Sequence, residues 1–203
     1  MKKIKQYLFL IALICLLTFT SKAQNAKYQF DNNFPEGIST NNSSKSGLSI
    51  RHGINTISID NVSFNDISGQ IISMSGLFLS NEAGKPNLPV ISSHIAIPKG
   101  AEVSFTIKNS KTKTLKDIDI LPAAEPQLDN DNSPTKHIKD NNIYDKNSFF
   151  PENQVVISDK MYIRDIEVVM LSITPFQYNP ITKELIVTYD MEIEVNFKGG
   201  DRN

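Results

Sequence analysis

The chain has 203 residues, with 21 basic and 22 acidic side chains and a formal net charge of −1. This balance excludes the strongly basic surface that nucleic-acid-binding domains carry, so nucleic acid is not an expected partner. The length is sufficient for one domain with a hydrophobic core of its own.

The first 23 residues have the pattern of a cleaved signal peptide. Lysines at the start precede an apolar run over Tyr7–Leu17, and small residues end the segment, so we predict cleavage between Ala23 and Gln24. The run is shorter than the ~20 apolar residues of a membrane-spanning helix, which disfavours stable membrane insertion. We therefore expect an exported protein, located in the periplasm, on the outer surface or outside the cell.

The lone cysteine, Cys15, lies inside this segment. Ile14 precedes it where lipoprotein processing requires a small residue, so a lipid anchor is the weaker alternative. Removal of residues 1–23 takes away four lysines and leaves a net charge near −5. The exported chain would then have no disulfide, no thiol nucleophile and no thiolate metal ligand.

Residues 24–55 are polar and rich in Asn, Ser and Lys, with the run NNSSKSG near their centre. Such a composition buries too little apolar surface to offset the entropy lost on ordering. We predict a flexible N-terminal arm over residues 24–55, with at most a loosely held strand near Tyr28 or Ile50.

Residues 56–199 have the pattern of a β domain. Apolar and polar residues alternate in short runs, for example from Val103 to Ile107, and Asn, Asp, Gly and Pro mark the turns between them. The two prolines in Gly84–Val90 remove backbone donors and favour a sheet edge or a crossing between sheets. Since no run has helical periodicity, the sequence predicts an all-β antiparallel fold, with a β-sandwich or jelly roll preferred over a barrel.

The clearest strand signal lies in residues 185–197, where every second residue is apolar. A register slip of one residue would expose this whole face, at a cost of ~1.5 to 3 kcal/mol for each side chain. Turn residues at Asn179–Lys183 precede the strand, and residues 161–174 are again rich in β-branched side chains. We therefore predict a long hairpin. The apolar face consists of Leu185, Val187, Tyr189, Met191, Ile193, Val195 and Phe197.

Residues 122–153 form a long loop of different character, with four prolines and a dense run of Asp and Asn. A connection of this length without secondary structure is uncommon inside a compact domain, and it is usually functional or disordered. Beyond the last strand, residues 200–203 are expected to form a short C-terminal tail.

The sequence has no recognisable catalytic or metal-binding constellation. His52, His94 and His137 lack ligand spacing, and no nucleophile elbow or phosphate-binding loop is present. The acidic run Asp129–Asp131 lacks the glycine and the distal glutamate of a calcium loop. We predict that the chain is not itself an enzyme and that it binds no metal and no cofactor.

Several stretches of residues 56–197 resemble the N-terminal propeptide of the gingipain-type cysteine peptidases. The longest is PFQYNPITKEL at Pro175–Leu185, and Gly84–Val90, Phe149–Pro151 and Ile163–Asp165 match in the family's order and spacing. The resemblance implies a sandwich-like domain that is exported with a caspase-like cysteine protease domain. It also implies that the domain helps the protease to fold and holds it latent until cleavage.

The resemblance also assigns candidate sites. In arginine-specific members an Arg of the long loop enters the specificity pocket of the protease, and ungapped counting places Asp129 there. Leu128, Asp129 and Asn130 are therefore the candidate inhibitory loop, and Arg202 is the candidate processing site. Asp129 implies either a partner that prefers acidic residues or a loop that blocks the cleft without filling the pocket. The alternative is that Asp129 is one solvated acid of a turn-rich loop.

No peptidase domain occurs in this sequence. The expected partner, a cysteine protease catalytic domain, would act in cis if the chain is a fragment and in trans if the chain is free-standing. The alternative function is that of an exported β-sandwich binding or adhesion module that has lost its protease. A catalytic domain encoded immediately downstream would favour the first interpretation.

Overall fold

The computed structural model describes residues 25–64, 67–127 and 133–200. Within these ranges the chain forms thirteen strands and one short helix, α1 (Asn141–Tyr144). All strand ladders are antiparallel, which confirms the predicted all-β antiparallel fold. No helix in the described part of the chain is long and apolar enough to cross a membrane.

A central sheet is built around the longest strand, β13 (Glu184–Lys198). β8 (Glu102–Leu115) pairs with β13 along nearly its whole length. On the other side of β13, β12 (Phe176–Asn179) pairs with its first residues and β3 (Gly47–Gly53) with its later ones. β2 (Gly37–Ser44) then pairs with β3 at the edge. This central position of β13 agrees with the strength of its sequence signal.

A first outer sheet has three strands, β1 (Ala26–Gln29), β4 (Thr56–Phe64) and β5 (Ile67–Ser73), with β4 in the middle.

A second outer sheet has five strands. In this sheet β11 pairs with β7 on one side and with both β9 and β10 on the other, and β6 pairs with the start of β7. Its strands are β6 (Phe78–Leu79), β7 (Pro89–Ala96), β9 (Val155–Ile157), β10 (Met161–Ile163) and β11 (Ile166–Ile173).

Two hydrophobic cores connect the sheets, and we call them the first core and the second core. The first core joins the central sheet to the first outer sheet and contains Phe30, Ile54, Ile57, Ile59, Ile72, Leu88, Leu115, Ile118, Ile120, Tyr144, Phe176, Tyr178, Leu185 and Val187. The second core joins the central sheet to the second outer sheet and contains Ile50, Ile95, Ile97, Val155, Val169, Leu171, Ile173, Met191, Ile193 and Val195.

β13 contributes to both cores. Its first half supplies Leu185 and Val187 to the first core, and its second half supplies the next three inward residues to the second. All five side chains are 0 % exposed, as the alternation predicts. Tyr189 and Phe197 are only half-buried at the margins of the cores.

A β-bulge separates the two halves of β13. The register with β8 shifts between Thr188 and Asp190, which leaves Tyr189 as the extra residue. The Tyr189 carbonyl accepts hydrogen bonds from the Ile54 amide at 2.8 Å and from Asn32 Nδ2 at 3.2 Å. The bulge therefore leaves this polar backbone group satisfied.

A partly buried ion pair between Arg51 and Asp190 follows the bulge. Arg51 Nε donates to Asp190 Oδ1 at 2.7 Å, and its terminal nitrogen donates to Oδ2 at 2.6 Å. This bidentate pair lowers the pKa of Asp190, and Lys111 Nζ adds a weaker contact at 3.7 Å. The guanidinium also lies over the ring of Phe34, 3.1 Å from its centroid. The pair thereby connects β3 to β13.

The predicted flexible arm over residues 24–55 is wrong where the structure describes it. Three strands, β1 to β3, lie in residues 25–55, and Ile50 and Ile54 are buried. The composition argument fails because β3 receives its hydrogen bonds from β13, which is distant in sequence. Five Asn and Ser residues belong to the edge strand β2, whose last five positions are exposed to solvent.

The predicted long hairpin is shorter than expected. β11 belongs to the second outer sheet, because the chain crosses between sheets at Thr174 and Pro175, and only β12 precedes β13 in the hairpin. The turn chemistry is confirmed, since Asn179 Oδ1 accepts from the amides of Ile181 at 3.0 Å and Thr182 at 3.2 Å.

His52 is a buried polar residue of the central sheet. It is 0 % exposed on β3, and in register it lies between Ile38 and Met191. Neither ring nitrogen has a hydrogen-bond partner among the described residues. Burial lowers the pKa of His52 from 6.5 to about 4, so the folded chain holds this ring neutral.

We expect this histidine to make the fold sensitive to mild acid. Below pH 6.5 His52 is protonated in the unfolded chain, but in the folded chain it stays neutral down to about pH 4. Between these two pH values the free energy of unfolding therefore falls by about 1.4 kcal/mol per pH unit. Urea unfolding at pH 7.5 and pH 5 measures the loss, and His52→Met should remove it. The exposed His94→Met is the control and should behave as wild type. Equal losses in wild type and His52→Met would contradict the assignment.

Candidate functional site

The start of the long loop pairs with the segment Gly84–Val90, which we call the two-proline motif. Pro122 bridges with Pro86, the Gly84 amide donates to the Ala123 carbonyl at 3.0 Å, and the Ala123 amide donates to the Lys85 carbonyl at 2.8 Å. The motif therefore pairs with the start of the loop through backbone hydrogen bonds.

The returning part of the loop passes over the same glycine. The Asp140 amide donates to the Gly84 carbonyl at 2.9 Å, and Gly84 has a φ of 79°. A Cβ atom at this position would lie 3.2 Å from the Ile138 carbonyl oxygen, so both the backbone angle and the close approach favour glycine. Asp140 then caps α1, where its Oδ1 accepts from the Asn142 amide at 2.9 Å.

The last part of the loop is held by the first core. Tyr144 is buried and its hydroxyl donates to the Ile120 carbonyl at 3.0 Å, while burial raises the pKa of this hydroxyl. Phe150 and Tyr178 exchange backbone hydrogen bonds of 2.9 and 2.8 Å. Both ends of the loop are therefore fixed to the domain.

Between these anchors the two sides of the loop meet in what we call the neck, residues 124–127 and 133–136. The Glu125 amide donates to the Lys136 carbonyl at 2.9 Å. Gln127 Nε2 donates to the Ser133 carbonyl at 2.7 Å, and Gln127 Oε1 accepts from the Thr135 hydroxyl at 3.0 Å. The neck brings together the two ends of segment 128–132.

The predicted site residues fall outside what the structure describes. Leu128, Asp129 and Asn130 lie in the undescribed segment at the end of the neck, and the candidate signal cleavage at Ala23 and Gln24 lies outside the described residues. The candidate processing residue Arg202 lies outside them as well.

The three histidines lie in separate settings. His52 is in the central sheet, His94 is exposed on β7, and His137 is at the neck, where its Nδ1 lies 3.0 Å from the Pro122 carbonyl oxygen. Over the described ranges, no group of three or more His, Cys, Asp or Glu side chains is arranged to hold a metal ion.

Asp119 contacts three side chains that are distant in sequence, and the sequence analysis did not predict this role. Its Oδ1 accepts from Lys183 Nζ at 2.7 Å and from the Tyr178 hydroxyl at 3.4 Å, and Lys139 Nζ lies 3.9 Å away. It connects the β12–β13 turn to the chain just before and after the neck. Since these partners come together only through the fold, no local sequence signal identifies this role.

Comparison with known proteins defines the class of the domain. The family model Propeptide_C25 matches residues 26–202, so the chain belongs to this family of propeptides. The result confirms that the domain is a propeptide of the gingipain type, and a non-catalytic one.

Particular relatives come from Porphyromonas gingivalis. Lys-gingipain HG66 is 27% identical over 201 residues, which cover 96% of this chain and 12% of that protein. Gingipain R1 is 27% identical over 116 residues, which cover 57% of this chain and 12% of that protein. This chain thus spans about one eighth of the length of these relatives.

Two solved structures have the same fold. One is the complex of Porphyromonas gingivalis RgpB pro- and mature domains, with a TM-score of 0.72 and 21% identity over 80% of this chain and 84% of that chain. The other, on the zymogenic latency of gingipain K, has a TM-score of 0.75 and 22% identity over 87% of this chain and all of that chain. At these identities the likeness concerns the fold.

Proposed function

We propose that this chain is a propeptide that inhibits a secreted gingipain-type cysteine endopeptidase and assists its folding. The observation that carries the proposal is the match of the propeptide family over residues 26–202. The two similar folds support it, since one is a complex of pro- and mature domains and the other concerns zymogenic latency. The partner is a cysteine protease catalytic domain, in cis or in trans.

The long loop is the proposed inhibitory element. The neck holds Gln127 and Ser133, the described residues on either side of segment 128–132, next to each other. Flanking chains that are already held together lose less conformational entropy on binding than a free peptide does, which favours tight occupation of a cleft. Leu128, Asp129 and Asn130 would then enter or cover the active-site cleft of the protease.

Asp129 bears on the choice of partner. Arg suits a specificity pocket that contains a carboxylate, whereas Asp requires a basic pocket or backbone donors. We therefore propose two variants of the mechanism, an anchor in a pocket that accepts acidic side chains and a steric block that leaves the pocket empty.

Inhibition assays with the full chain test both the function and the role of Asp129. The wild-type chain should inhibit its cognate protease, and Asp129→Ala should weaken inhibition by ~2 to 5 kcal/mol if the carboxylate is a charge-paired anchor. Asp129→Arg should weaken it at least as much, and Asp131→Ala is the matched control from the same segment.

The outcomes of this assay are distinct. A change below about threefold, which is roughly 0.6 kcal/mol, for Asp129→Ala would remove Asp129 from the mechanism and leave the steric block. Absence of inhibition by the wild-type chain would contradict the proposed function itself.

We also propose that the chain is exported by its N-terminal segment and that Arg202 serves as a processing site. Expressed in a bacterium with a standard export pathway, the protein should appear outside the inner membrane with Gln24 as its first residue. Mass spectrometry of the purified protein measures this directly. A retained Met1, or a lipid on Cys15, would contradict signal cleavage.

A further inference from the structure

An exposed aromatic pair lies beside the neck. Phe64, at the end of β4, stacks on the ring of His137, with centroids 4.6 Å apart and an angle of 11° between the rings. Phe64 is 39% exposed and the neighbouring Ile138 is 55% exposed. These side chains place apolar surface in water at the point where the inhibitory element leaves the domain.

The pair forms part of an open hollow of about 790 Å³. Its walls come from the β4–β5 hairpin and from the second side of the neck, and we call it the neck hollow. Its lining residues are Phe64, Ile67, Pro134, Thr135, Lys136, His137 and Ile138.

The walls of the hollow are held in place before any partner binds. His137 is fixed by its 3.0 Å contact with the Pro122 carbonyl and by the stack on Phe64. Lys136 is fixed through its carbonyl, which accepts from the Glu125 amide. The hollow combines the apolar side chains of Phe64, Ile67 and Ile138 with a few polar groups, a combination that suits the side chain of another molecule.

The position of the hollow determines which partner reaches it. Pro134 and Thr135 line the hollow, and segment 128–132 ends only two residues before Pro134. We therefore expect a protein that receives this segment in a cleft to bring the rim of that cleft against the hollow. Ile166, which begins β11 in the second outer sheet and is also 55% exposed, lies outside the long loop and far along the chain from segment 128–132.

We infer that the neck hollow is a second docking surface for the protease catalytic domain and receives an apolar or aromatic side chain from the rim of its active-site cleft. This inference rests on the proposed function and adds a binding element that is separate from segment 128–132. The hollow would supply affinity, and the segment would supply occlusion of the cleft.

The experiment measures binding and inhibition separately. The full chain is titrated against its cognate catalytic domain with the nucleophilic cysteine replaced by alanine, and inhibition is measured with the active enzyme. Phe64→Ser and Ile138→Ser should each weaken binding about tenfold or more, as expected for an anchor in a central pocket. The matched control Ile166→Ser, which removes an equally exposed apolar side chain from the second outer sheet, should change binding less than twofold.

A loop variant separates the two elements. A chain with Leu128, Asp129 and Asn130 all replaced by glycine should lose inhibition but keep measurable binding, and adding Phe64→Ser should abolish that binding. Thermal melts check that each variant is folded, and Ile138→Ser provides the test if Phe64→Ser lowers the melting temperature.

The outcomes distinguish this inference from the proposed function. If the wild-type chain binds and inhibits but Ile138→Ser binds as tightly as Ile166→Ser, the docking role of the hollow is wrong and the proposed function stands. If the wild-type chain neither binds nor inhibits, both are wrong.

Discussion

The fold depends on one strand that belongs to two cores. β13 carries five fully buried apolar side chains, two in the first core and three in the second. At ~1.5 to 3 kcal/mol for each buried side chain, a register slip would cost roughly 8 to 15 kcal/mol of burial energy, drawn from both cores. The bulge at Tyr189 and the Arg51–Asp190 pair mark the change from one core to the other. The three sheets are thereby held in one arrangement.

The candidate inhibitory element depends on this arrangement. The anchors of the long loop, Tyr144 and the backbone pair between Phe150 and Tyr178, lie in or against the first core, which β13 helps to form. Asp119 connects the β12–β13 turn to both sides of the neck. The described residues on both sides of segment 128–132 are therefore connected to the first core, and a change in that core should alter the neck.

The sequence predicts the parts of the fold whose signals are local. The alternation of β13 and the Asx turn at Asn179 are confirmed, because each depends on residues adjacent in the chain. The sequence does not predict that residues of β2 and β3 form strands, because β3 pairs with the distant strand β13 and β2 pairs with β3. β8 extends to Leu115, beyond the expected strand around Val103–Ile107, because its polar residues lie on an exposed edge strand where alternation is not required.

The candidate site was accessible to sequence reasoning only in part. The unusual composition of residues 122–153 and the family resemblance identify the loop. The neck, the stack of Phe64 on His137 and the role of Asp119 each join residues far apart in sequence, so they become visible only in the folded chain.

Native-state hydrogen exchange of the β13 amides tests the central claim, that one strand makes both cores a single cooperative unit. If the claim holds, amides over residues 185–187 and residues 191–195 exchange with one opening free energy, equal to the global unfolding free energy measured with urea. If the amides in the first half of β13 instead exchange with an opening free energy lower by more than about 1 kcal/mol, the two cores unfold separately. That result would contradict the claim that β13 makes both cores one cooperative unit.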